Sequence, residues 1–158
     1  MRPLGVGRRT RPRRAIGQNV CDQEAGVVWK TWATASVSDL LNAMNRRDWP
    51  AFRGLHHRDV VYVSPVSRVV GSDMVLDRCR ALVASAPDLQ FSDLKVLDVD
   101  KVRLQATFEY TQTGTLVNDL PTPTGTVHGT GAPFVIRTIQ SVNFDDDGRM
   151  TEVRTQWE

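Results

Sequence analysis

Apolar residues recur at helical spacing in the first half of the chain and alternate in the second half. Val37, Leu40, Leu41 and Met44 share one helical face. Ser36 with Asp39 three residues later resembles a capping box, with Asp in the Glu/Gln place. The spacing therefore predicts a helix of about ten residues from Ser36, ending near Asn45-Arg46-Arg47. Asp48 is placed to cap a second, short helix over residues 49–55, with Pro50 in its first turn. Residues 59–66 hold the β-branched run Val60, Val61, Tyr62, Val63, closed by Pro65, and read as a strand. Gly71-Ser72 opens a third helix whose buried stripe is Val75, Cys79, Leu82, Val83 and Ala86, stopped by Pro87.

From residue 89 the period becomes two. Strands are predicted over 89–99 and 102–115, with the turn at Asp100-Lys101; in the second, Val102, Leu104, Ala106, Phe108 and Tyr110 alternate with polar residues. Residues 116–132, rich in Pro, Thr and Gly, read as a loop. A strand over 133–144 and a last strand over 149–157 flank the turn Asp145-Asp146-Asp147-Gly148. Helices in the first half followed by consecutive strands give an α+β class, helices covering one face of a curved sheet that is antiparallel or mixed.

Charge divides the chain. The net charge is +2, yet residues 1–14 carry six arginines and no acid. Without them 14 Lys and Arg face 18 Asp and Glu, so the body carries −4. A basic folded domain made for nucleic acid is therefore not expected. Residues 1–20 are too poor in apolar groups to offset ordering and read as a disordered Arg-rich tail. Residues 21–35, with Val27, Val28, Trp29 and Trp32, read as an extension able to pack as an extra helical turn or a dimer contact. No run of 18 apolar residues exists, so no membrane span is expected. Two cysteines are too few for a disulfide scaffold or a cysteine metal site, which favours a reducing, cytoplasmic setting.

Several strings then carry a family resemblance: Leu41-Asn42-Ala43-Met44-Asn45-Arg46-Arg47-Asp48-Trp49, Asp59-Val60-Val61-Tyr62 with Pro65, Gly71 before the third helix, and Ala86-Pro87-Asp88-Leu89. Thr113-Gly114-Thr115, Leu120-Pro121-Thr122-Pro123-Thr124-Gly125, Phe144 through Gly148 and the closing Trp157-Glu158 continue the series. In this order they resemble the SnoaL-like polyketide cyclases of the nuclear-transport-factor-2-like fold, over residues 36–158. The resemblance implies a cone-shaped sheet around a small apolar pocket, a homodimer through the exposed sheet face, and chemistry without a cofactor. That family also holds isomerases, epoxide hydrolases, dehydratases and members with no activity, so fold alone does not fix function.

The resemblance places Glu158 where those cyclases carry an acid/base aspartate. Strand parity leaves its direction open: Met150, Glu152, Arg154, Gln156 and Glu158 share one face, and Thr151, Val153, Thr155 and Trp157 the other. If the polar face lines the cone, Arg154, Gln156 and Glu158 form a polar column in it. Thr138 and Gln140 sit in the apolar column of Phe134, Ile136, Val142 and Phe144 and need partners if that face is internal. Tyr62 and Tyr110 offer apolar bodies with hydroxyl tips, and His128 in the glycine-rich loop can reach a ligand at the cone mouth. The positions of a steroid-isomerase pair hold Leu40 and Ser64, which excludes that chemistry. Epoxide opening would need two carboxylates around an arginine, and Arg137, Glu109 and Asp59 are the candidates. His56-His57 read as a helix C-terminus, and no metal site is expected. The expected activity is intramolecular condensation of a hydrophobic, carbonyl-rich, polyketide-like intermediate by general acid–base catalysis. A non-catalytic binding or assembly module and an epoxide-opening hydrolase or cyclase are the alternatives.

Overall fold

A computed structural model describes the backbone of residues 14–157 and the side chains of residues 26–157. Helix α1, Arg14–Arg46, has 33 residues, far more than predicted. Ser36 is no cap; it is buried within the helix. The cause lies upstream. Trp29 and Ala33 continue the stripe of Val37, Leu40 and Met44. Trp29 and Trp32 stack at 5.0 Å and meet Phe144 edge-on at 5.6 and 5.0 Å. Helix stability drawn from packing overrides a local start signal. The helix takes in the expected extension, 21–35, and residues 14–20 of the expected tail; residues 1–13 of that tail lie outside the described residues.

The end of α1 falls where predicted. Arg47 takes φ 59°, its N–H bonds Met44 O at 3.1 Å and the N–H of Asp48 bonds Ala43 O at 2.9 Å. This is a Schellman closure with Arg in the usual glycine place. The Arg47 guanidinium holds the position by bonding Met44 O, Pro87 O and Leu89 O. Asp48 caps α2, Trp49–Gly54, by accepting the Ala51 N–H at 3.1 Å.

The single strand expected over 59–66 is a hairpin. Strand β1, His56–Ser64, turns at Pro65-Val66 into β2, Ser67–Val70. The expectation that His56-His57 end a helix is corrected: both open β1. Helix α3, Ser72–Ser85, follows Gly71 and carries the predicted stripe. Strands β3, Gln90–Asp100, and β4, Gln105–Thr115, are joined by a wider turn than predicted; Val102 is 94% exposed there, not in the strand. The loop over 116–132 contains a small hairpin, β5 Leu120–Thr122 and β6 Gly125–Val127. Strands β7, Pro133–Phe144, and β8, Met150–Trp157, complete a six-stranded sheet of order β2-β1-β8-β7-β4-β3. Only the β1–β8 pairing is parallel, so the sheet is mixed.

The inner face of the sheet holds Phe108, Val142, Phe144, Met150 and Val153, all buried, against the helices. Asn45 fastens α1 to β3 through both ends of its amide: it accepts the Phe91 N–H at 2.8 Å and donates to Phe91 O at 3.0 Å.

Candidate active site

The helices cover one end of the sheet and leave a cavity of about 540 Å³ beyond it. Leu40, Leu41 and Met44 of α1, Val75, Cys79 and Leu82 of α3, and Leu120 and Val127 of the small hairpin form apolar walls. The polar groups come from the strands: Tyr62 from β1, Tyr110 and Gln112 from β4, Gln140 from β7 and Thr155 from β8. Arg78 is the one charged side chain among the described lining residues.

Gln140 is almost fully buried and donates through Nε2 to Thr155 Oγ1 at 3.3 Å, while its Oε1 has no partner. Reversing the amide exchanges the two ends and still leaves one of them unbonded. A buried polar atom without a partner costs about 1–3 kcal/mol, and Gln140 is a lining residue of the cavity, so a polar ligand group that reached its amide would complete it. Thr138, also fully buried, stands behind the wall; its hydroxyl accepts Gln112 Nε2 at 2.9 Å and so orients that amide.

His56 is buried off the cavity wall, its ring between Phe52 at 4.6 Å and Tyr62 at 5.5 Å. Its Nδ1 lies 2.7 Å from Phe52 O and its Nε2 lies 2.6 Å from the Tyr62 hydroxyl. A carbonyl only accepts, so Nδ1 carries the proton and Nε2 accepts the Tyr62 O–H. Burial pushes His56 down to about 4 and Tyr62 well above its ordinary value, so both are neutral near pH 7. Burial likewise pushes Tyr110 well above its ordinary value and Cys79 up to about 12. Cys79 is therefore a thiol, a poor nucleophile.

Of the residues expected in the site, Tyr62, Tyr110 and Gln140 line the cavity, and Thr138 backs it. Arg154 and Gln156 do not: both are exposed on the outer face, where Arg154 Nε bonds Glu152 at 2.7 Å. The correction has a local cause. Asn143 pairs with Glu152 but Phe144 pairs with Met150, so an extra residue bulges out of β8. After the bulge Val153, Thr155 and Trp157 face inward and Arg154 and Gln156 outward. Glu158 lies outside the described residues. His128 is exposed, off the cavity, 3.4 Å from Asp119. The three residues considered for epoxide opening do not meet. Arg137 pairs with Glu109 at 2.7 Å on the outer face and Asp59 sits exposed beside Arg58.

Among the described residues no Asp or Glu lines the cavity. Asp88, Glu109 and Asp119 are held below the usual carboxylate range, by the Thr115 amide, by Arg137 and by the Gly129 amide respectively. None of those three carboxylates is raised toward neutrality as a buried acid/base would be. Sequence reasoning missed Gln112, Thr155, Arg78 and His56. Gln112 follows Phe108 and Tyr110 at the same parity, so the argument that found Gln140 applies to it too.

Residues 37–153 match the family model described as the SnoaL-like domain. Among curated proteins none matches the chain. Solved structures share the fold. A provisionally assigned polyketide cyclase from Xanthomonas campestris pv. campestris is 21% identical with a TM-score of 0.70, covering 82% of this chain and 93% of that one. One of the same description from Pseudomonas putida is 22% identical with a TM-score of 0.66, covering 78% and 89%. An epoxide hydrolase of M. tuberculosis, described as LEH-like, is 19% identical with a TM-score of 0.57, covering 81% and 84%. The six-stranded mixed sheet, the helices over its inner face and the matched span agree: the chain belongs to the SnoaL-like domain family.

Proposed function

We propose that this protein is an enzyme that folds a hydrophobic, carbonyl-rich, polyketide-like chain into its cavity and promotes intramolecular condensation. The observation that carries the reading is the unbonded amide end of Gln140, a residue of a largely apolar cavity wall. An apolar chain fills the walls, and a polar group along it completes Gln140. Tyr110 and Gln112 supply donors for a developing enolate oxygen, and Arg78 can hold an anionic end. Neighbouring folds assigned to polyketide cyclisation support the same reading.

The test is incubation with a linear aryl 3,5-diketo ester, followed by mass spectrometry and chromatography. A cyclised product, isomeric or lighter by one water, is expected, and Gln140→Leu slows its formation roughly tenfold or more. No product from the folded protein overturns the reading.

A binding module is the second reading, favoured by the lack of a carboxylate on the described cavity wall. Under it the diketo ester raises the melting temperature and is recovered unchanged. The first reading also includes a homodimer through the outer sheet face, where Val135 is 73% exposed. Sedimentation would then give twice the chain mass, 17.7 kDa.

A further inference from the structure

The geometry points to a proton relay in which the Tyr62 hydroxyl takes a proton from a carbon beside a carbonyl while passing its own proton to Nε2 of His56. The inference deepens the proposed function and rests on its carbonyl substrate. Three observations carry it. Tyr62 stands on the cavity wall and His56 directly behind it, off the wall. The Tyr62 O–H is committed to Nε2 at 2.6 Å, so the lone pairs of the oxygen are left to accept. Phe52 O at 2.7 Å fixes the other ring nitrogen as a donor, which aims the basic nitrogen at Tyr62.

Local sequence builds the pair. Asp48 and Pro50 start α2, and its last turn delivers Phe52 O to the ring four residues on. Strand β1 changes register against β8 between His56 and Val61. That irregularity brings two residues six apart on one strand into hydrogen-bond contact.

The relay balances. The C–H bond of the substrate breaks, its electrons enter the adjacent carbonyl, and an enolate forms. One proton goes to the Tyr62 oxygen as the former hydroxyl proton goes to His56 Nε2, leaving an imidazolium. The enolate carbon then attacks a second carbonyl of the same molecule, and a C–C bond forms. The new alkoxide takes a proton from Tyr62 as His56 returns its own. Nothing is oxidised or reduced, and no co-reactant is consumed. The buried imidazole is a weak base, so the relay suits protons already acidified by two flanking carbonyls. Tyr62 is the catalytic residue; His56 is a positioning residue that also stores the proton.

Deuterium exchange isolates the first half of this reaction. Ethyl 2-benzylacetoacetate has one exchangeable proton between two carbonyls and cannot cyclise. In D2O, with buffer alone as reference, the protein is expected to accelerate uptake of deuterium read by mass spectrometry. Tyr62→Phe keeps the ring and is expected to lower the protein-catalysed rate roughly a hundredfold, with KM within about threefold. His56→Gln is expected to match it, because an amide oxygen accepts the Tyr62 O–H but does not take up its proton. No acceleration by the wild type overturns the relay, as does full activity in folded Tyr62→Phe. Activity retained in His56→Gln but lost in His56→Leu reduces the histidine to a hydrogen-bond acceptor and overturns proton storage. Exchange without condensation of the diketo ester leaves the relay standing and defeats the proposed function; condensation that survives Tyr62→Phe does the reverse.

Discussion

At the scale of single residues, backbone strain and burial give the sharpest expectations. Gly148 takes φ 82°, and a Cβ there would overlap the Trp32 ring. Gly148→Ala is expected to cost about 2 kcal/mol or more in urea unfolding. The turn chemistry of Asp145–Gly148 was legible in the sequence, but the closeness of Trp32 was not, since it comes from 116 positions upstream along α1. His56 gives a pH expectation. Its folded value is about 4 against 6.5 when free. The unfolded chain therefore binds the extra proton between these values, and stability is full above about pH 6.5. It falls as pH drops toward 4 by a total on the order of 3 kcal/mol. Urea unfolding at pH 7 and pH 5 should show the loss in the wild type and a smaller loss in His56→Gln. The pair with Tyr62 left no trace in the sequence: adjacent histidines after a short helix read as a cationic helix end, and only the start of β1 at His56 buries one of them.

At the scale of elements, the pattern of apolar positions places α2, α3, β7 and β8 nearly to the residue. It fails where packing or pairing overrides the pattern. The Ser36 capping signal is outweighed by Trp29 and Trp32 docking on Phe144. Trp32→Ala is expected to lower stability by about 2 kcal/mol, measured by denaturant unfolding, because it removes two ring contacts. Asn45→Ala should cost about 1–3 kcal/mol through the two unpaired backbone groups it leaves at Phe91. The bulge in β8 reassigns every side chain after Met150, which strict alternation does not foresee. One irregularity thus decides that Thr155 and Trp157, rather than Arg154 and Gln156, meet the cavity. The outer-face pair offers a control: Glu109→Gln removes a charge from the Arg137 contact and is expected to leave turnover of the diketo ester unchanged.

At the scale of the whole molecule, the order of helices and strands gives helices over one face of a curved sheet, and the local strings in that order supplied the resemblance to the family that the chain belongs to. The cavity's chemistry was only half legible. Polar residues in apolar columns, Gln140 foremost, announce themselves by parity, whereas residues brought in by turns, bulges and helix ends do not. The account stands on the cavity being where a carbonyl chain binds and reacts, and filling it is the most direct test. Ala81 is a small residue of α3 on the cavity wall. Ala81→Trp should fold, keep a melting temperature close to the wild type and lose turnover of the diketo ester. A folded Ala81→Trp that converts the ester at the wild-type rate would place the reaction elsewhere and contradict the account.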